Sequence, residues 1–175
     1  LLPISILETG RLDFDRFYGS RQDLPYPYRR IGGHVVSAYP IVAGLANVPV
    51  YAAAHAAGVD LYARRAFLSH LTADLLASLS VLFLFLALRR LGRTDAESFF
   101  FALLYAFATE VWAVASRGLW QHGPSLLFLC ASFWLLLSRD RRRVALSGLT
   151  LALAVVSRPT DGLVAAAAAA FVLTR

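Results

Sequence analysis

Ionisable and amide side chains set among apolar runs are the parts of this chain that could do chemistry. His70 and Asp74 stand four residues apart in the apolar run 67–88, so on a helix they share a face. Glu110 falls inside the next run, 99–116. A carboxylate in such a place can take the proton of an attacking hydroxyl as a general base. The stretch Ser116-Arg-Gly-Leu-Trp-Gln-His-Gly-Pro124 puts Arg117, Gln121 and His122 in a short polar hinge between apolar runs, and Arg158 opens a second hinge, 158–162. A guanidinium matches a phosphate through paired hydrogen bonds, and Gln and His add polar contacts to charge that develops during transfer. His34 and Tyr39 lie in a glycine- and proline-punctuated N-terminal segment. The supporting catalytic candidates are Asp74, Glu110 and His122; the binding candidates are Arg117, Gln121, Arg158, His34, Tyr39 and His70.

Each of these residues also has a plainer reading. His70, Asp74 and Glu110 are expected at matched depth in adjacent spans, with Asp74 about 10 Å below its helix end. There they either line a cavity open to one side or tie helices together by hydrogen bonds. Arg117 and His122 fit an interfacial belt as well as a ligand site, and Trp112 and Trp120 read as its aromatic anchors. Arg158 can instead snorkel and cap the preceding helix. Asp161 reads as a helix N-cap, and Glu8, Asp13 and Asp15 as part of a solvated loop. Cys130 reads as a small buried apolar residue, since a lone cysteine makes no disulfide framework. No zinc ligand set, phosphate-cradling glycine loop or Ser-His-Asp arrangement is legible, so neither a metal nor a cofactor is expected.

The elements that would position these groups are membrane helices. Of 175 residues, 58% are apolar, above the range of about 45–50% for soluble domains, and the excess falls in blocks. The run 67–88 makes about 33 Å of helix, against a hydrocarbon layer of about 30 Å. The pattern predicts an all-α polytopic transmembrane bundle in one partial membrane domain, 1–175. It has an outer loop over 1–40 bearing juxtamembrane helices, an interfacial helix over 41–58, and spans over 67–88, 99–116, 123–138, 144–157 and 163–174. Within the loop, 2–8 reads as a short helix stopped by Gly10. Pro49, Asn47 and His55 make 41–58 an interfacial helix rather than a span. Thr94 or Asp95 is expected to cap the helix that follows.

The net charge of +6 comes with arginine as the only basic side chain besides histidine. The arginines gather at the ends of apolar runs, which reads as membrane topology and not as nucleic-acid binding. Loops 89–98 and 139–143 hold seven arginines, and the other short loops hold four, Arg64, Arg65, Arg117 and Arg158. This count puts 89–98 and 139–143 inside and both polar hinges outside. Exclusive use of arginine fits a GC-rich bacterial genome, hence a multi-pass protein of the bacterial plasma (inner) membrane. Both ends read as cuts through a longer protein.

The chain resembles the polytopic GT-C glycosyltransferases. Leu2-Pro-Ile-Ser-Ile-Leu-Glu-Thr-Gly-Arg-Leu-Asp-Phe-Asp15 and Gly32-Gly-His-Val-Val-Ser-Ala-Tyr-Pro-Ile41 resemble their first outer loop. The hinge 116–124 and Ser157-Arg-Pro-Thr160 are similar to later hinges of the protein mannosyltransferase and aminoarabinose transferase branch. The resemblance implies a transferase that moves a sugar from a polyprenyl-phosphate carrier to an acceptor at the outer face. The family's catalytic Asp would lie just before Leu1, so this chain alone is expected to be inactive. It carries Ala38 where the family often has a basic residue, and Gln121-His122 where relatives often carry Asp. The competing readings are a transporter of lipid-linked sugars and a non-catalytic assembly subunit.

Overall fold

Pro3 enters the first turn of helix α1 (Leu2–Thr9), where the missing N–H would have no helical partner anyway. Gly10 ends the helix in the left-handed region (φ 68°), its N–H on the Ile6 carbonyl. The expected short helix is therefore present. The computed structural model describes residues 1–174, which divide into two compact units, 1–72 and the residues from Ala73 on.

The first unit adds one strand pair to the expected all-α fold. After α2 (Asp15–Tyr18), strands β1 (Tyr28–Ile31) and β2 (His34–Ser37) pair antiparallel, with Ile31 opposite His34. Gly32 and Gly33, at φ 58° and 87°, make the two-residue turn that matches strand twist. Leu2, Phe14 and Val35 bury a small core here. The expected interfacial helix 41–58 is two helices, α3 (Val42–Ala46) and α4 (Val48–Ala56). Pro49 is the physical reason: it lacks an N–H for a continuous helix, yet is well placed in the first turn of a new one. A Cβ on Gly44 would lie 2.7 Å from Leu2 Cδ2, so a side chain there would have to displace the Leu2 side chain packed between α1 and α3. Tyr51 of α4 is buried with Ile4, Leu61 and Leu68, and its hydroxyl donates to the Arg65 carbonyl at 2.8 Å.

Helix α5 (Arg65–Arg90) starts in the first unit and continues into the second. It contains the expected span 67–88 and, among the described residues, is the one helix long and apolar enough to cross a membrane. Thr94 caps α6 (Asp95–Ala108) by a reciprocal box: Glu97 N–H donates to Thr94 Oγ1 at 3.2 Å, and Thr94 N–H to Glu97 Oε2 at 2.9 Å. The expected span 99–116 is corrected. The Thr109 hydroxyl donates back to the Tyr105 carbonyl at 2.6 Å, its backbone turns extended, and a π-helical turn follows at Val111–Ala115.

The remaining helices are α7 (His122–Leu136), α8 (Arg141–Ser157) and, after a 3-10 turn at Pro159–Asp161, α9 (Gly162–Leu173). Their 15, 17 and 12 residues are each shorter than the ~20 that a span needs. Helix length therefore does not support five spans, although α7 and the segment Pro159–Leu173 are apolar.

Packing in the second unit puts small residues inside. Ser80, Ser98, Ser125, Ser132, Ser147 and Ser157 are buried, whereas Leu75, Leu79, Phe99, Phe100, Phe101 and Phe107 are exposed. Ser132 and Thr150 join α7 to α8 at 2.7 Å, and Leu136, Leu151 and Ala168 form the apolar centre. Tyr105 donates to Ser80 at 3.3 Å, and the Cys130 thiol lies 3.6 Å from the Tyr105 oxygen, so the buried thiol sits in a polar chain.

Candidate functional site

The break at Thr109 determines where the first hinge goes. Past the π-helical turn the chain reaches Gln121, the N-cap of α7, and Gly123, where a Cβ would lie 3.6 Å from the Leu76 side chain of α5. Pro124 occupies the first turn of α7 and is buried. One residue on, Ser125 Oγ donates to Asp161 Oδ2 at 2.5 Å. That bond ties the start of α7 to the start of α9, so the hinges 116–124 and 158–162 meet at one end of the second unit.

Asp161 is corrected from its expected role. It stands at the N-cap position of α9 but makes no side-chain cap bond. A capping side chain needs an extended backbone to reach the first N–H groups; Asp161 is right-handed helical (φ −70°, ψ −7°). Its buried carboxylate turns to Ser125 instead.

In these two hinges Gln121, His122 and Arg158 are half-buried and Arg117 is exposed. The guanidinium groups of Arg117 and Arg158 hydrogen-bond no described residue, and His122 Nδ1 is buried without a partner. The hinge end thus offers two uncommitted cations and one unsatisfied imidazole nitrogen, an arrangement able to receive an anionic group.

The other membrane-depth candidates do not form a cluster. Asp74 and His70 are exposed on α5 and Glu110 is exposed. Neither Asp74 nor Glu110 hydrogen-bonds a described residue. Glu110 lies in the break between α6 and the π-helical turn, so it is not carried on the same continuous helix as Phe99; the Thr109 interruption is the reason. The hydrogen-bond cluster between helices is therefore absent among the described residues.

In the first unit, His34 gathers with residues read from the sequence as solvated loop. Asp15 Oδ1 accepts from Val35 N–H at 2.6 Å, and Asp15 Oδ2 lies 2.6 Å from His34 Nδ1. Arg11 Nε donates to Asp13 at 2.7 Å, and its Nη2 lies 3.1 Å from the same His34 nitrogen. One nitrogen cannot donate to Asp15 and accept from Arg11 together, and the shorter contact goes with a proton shared toward Asp15. The backbone N–H of Val35, then His34 and Arg11, hold the Asp15 carboxyl below the usual carboxylate range. Asp15 is therefore an organiser of the hairpin, while Asp13 holds Arg11 and the Asp15 N–H, so both are engaged rather than simply solvated. Asp13, Asp15 and His34 offer ligand atoms within 4.8 Å of one another, a spacing able to hold a metal ion, although Arg11 already supplies a cation there. Tyr39 is exposed beside Tyr26, with ring centroids 6.0 Å apart.

Two features are absent from the expectations drawn from the sequence, and only one of them left a local signal. Ser125 is one serine among many in apolar helices, and nothing local marks it as the partner of Asp161. The acidic–histidine cluster had a signal: Gly-Gly between alternating residues reads as a hairpin, and the hairpin returns His34 and Val35 to Asp15. No family model matches this chain, and neither a curated protein nor a solved structure matches it.

Proposed function

We propose that this chain is part of a GT-C-type glycosyltransferase of the bacterial plasma membrane. It would move a sugar from a polyprenyl-phosphate carrier to an acceptor at the outer face. The site would be the hinge end of the second unit: Arg117 and Arg158 take the carrier phosphate, and Gln121 and His122 the sugar or acceptor. The observation that carries this reading is the Ser125–Asp161 bond, which brings the two cation-bearing hinges to one place. The sequence resemblance of the N-terminal loop and both hinges supplies the reaction class.

The multi-pass placement rests on packing. Only 33% of the most apolar window of α5 is buried, less than a soluble core helix would show, and the second unit keeps serines inside and phenylalanines outside. Lipid removes the penalty for that arrangement, because helices in a bilayer associate through small residues and hydrogen bonds. In this reading α7, α8 and α9 cross with the bilayer thinned around them or with their ends extended by neighbouring segments.

The test is a transfer assay with a radiolabelled polyprenyl-phosphate sugar. It compares the full-length protein with its Arg117→Gln, Arg158→Gln double variant. Transfer is expected to fall by at least about tenfold, the loss of one or two charge-assisted contacts. Unchanged transfer would sink the site assignment, and no transfer by the unaltered protein would favour a transport or assembly role.

A further inference from the structure

We propose that the apolar groove of the second unit binds the acyl chains of an anionic phospholipid of the phosphatidylglycerol kind, with the lipid phosphate held by arginines at the groove's mouth. The inference rests on membrane placement and is independent of sugar transfer. The groove lies between the C-terminal part of α5, the C-terminal part of α7 and α9, and holds about 640 Å³. Its lining is carbon throughout, including Leu84, Leu88, Leu91, Leu137, Val164 and Ala167. That volume falls within the range of about 300–1,000 Å³ for sites that enclose a small apolar ligand.

Charge at one end of the groove selects the occupant. The lining reaches Leu91 and Leu137, and arginines stand beside both points: Arg89, Arg90 and Arg93, and Arg139, Arg141, Arg142 and Arg143. The three carboxylates on these loops are already engaged. Asp95 pairs with Arg89 at 2.7 Å, Asp140 lies 3.8 Å from Arg143, and Glu97 serves the Thr94 cap. Arg139, Arg141 and Arg142 are exposed, and their guanidinium groups pair with no described carboxylate. Arg90 donates to the Trp134 carbonyl, stacks 4.2 Å from the Trp134 ring centroid and lies within electrostatic reach of Arg143.

An apolar groove ending in surplus cations is the complement of a lipid whose chains end in a phosphate. The positive-inside count puts this end in the cytoplasmic leaflet, where anionic lipids are drawn to basic pockets between helices. A zwitterionic lipid would bring its own cation to the cluster. A second copy of this chain would bring the same arginines, so like charges would oppose self-association here.

Native mass spectrometry of the full chain in neutral detergent tests the inference. The probes are phosphatidylglycerol, phosphatidylcholine with the same acyl chains, and glycerol phosphate without chains. Phosphatidylglycerol is expected to be retained at least about fivefold better than phosphatidylcholine, and glycerol phosphate not to be retained. Combined Arg139→Gln, Arg141→Gln and Arg142→Gln should weaken phosphatidylglycerol by at least about fivefold, to the level of phosphatidylcholine, and leave phosphatidylcholine unchanged. Ala167→Phe, at an exposed lining position, should weaken both lipids by filling the groove.

Equal retention of the two lipids overturns the proposal. So does phosphatidylglycerol retention indifferent to all these variants, or a dimer that Ala167→Phe converts to monomer. A chain that stays soluble without detergent overturns the membrane reading itself; a detergent-requiring chain without lipid preference overturns this inference alone.

Discussion

Asp15 has most of its hydrogen-bonding capacity taken up: Val35 N–H on one oxygen, His34 and Arg11 on the other. Such bonds favour the charged form, so its folded pKa is depressed. A depressed carboxyl contributes stability that is fully present above its unfolded pKa of about 3.9 and is lost as pH falls through the lower folded value. The hairpin of the first unit is therefore expected to loosen below about pH 4, read as loss of slow amide exchange at Val35. Asp15→Asn should show the loosened exchange already at neutral pH and flatten the acid transition. A transition unchanged by the substitution would remove Asp15 from that role. At the same scale, Ser125 and Asp161 make their bond away from water, where an unpartnered carboxylate is expensive, so each residue constrains the other. The sequence marked Asp161 but not its partner, because a hydrogen bond across 36 positions has no local trace.

Among the elements, α6 shows local sequence acting directly. Thr94 with Glu97 three positions later is a capping box, and the structure has both of its bonds. Thr94→Ala is expected to reduce stability by about 1 kcal/mol, measurable as a lower unfolding midpoint in detergent; Thr94→Ser should keep most of it. Equal midpoints for all three proteins would show that the cap carries no weight. The far end of α6 was not legible. Hydropathy continues smoothly through 99–116, but Thr109 bonds back to Tyr105 and opens the helix into a π-helical turn. Apolar periodicity reports burial and is silent on such backbone exchanges. Pro49 worked the other way: its missing N–H was visible in sequence, and the division into α3 and α4 follows from it.

For the whole molecule, the distribution of apolar surface is the main argument for membrane placement. Exposed Phe99, Phe100, Phe101 and Phe107 on one helix would be an aggregation hazard in water. The chain is expected to stay in the membrane fraction after an alkaline carbonate wash and to enter solution only with detergent. Release by carbonate would instead make α5 the core helix of a soluble assembly.

Composition, helix content and the position of the long apolar helix were legible without coordinates, because they depend on local periodicity and on the sum of side-chain transfer energies. The Arg-rich turns and polar hinges were legible too, as interruptions of that pattern. Tertiary structure alone decided which interruptions meet. It paired Ser125 with Asp161 and folded His34 back onto Asp15, while Asp74 and Glu110 hydrogen-bond no described residue. Those outcomes turn on directional bonds between residues far apart in the chain, and their energies depend on burial and angle that no run of neighbouring residues encodes.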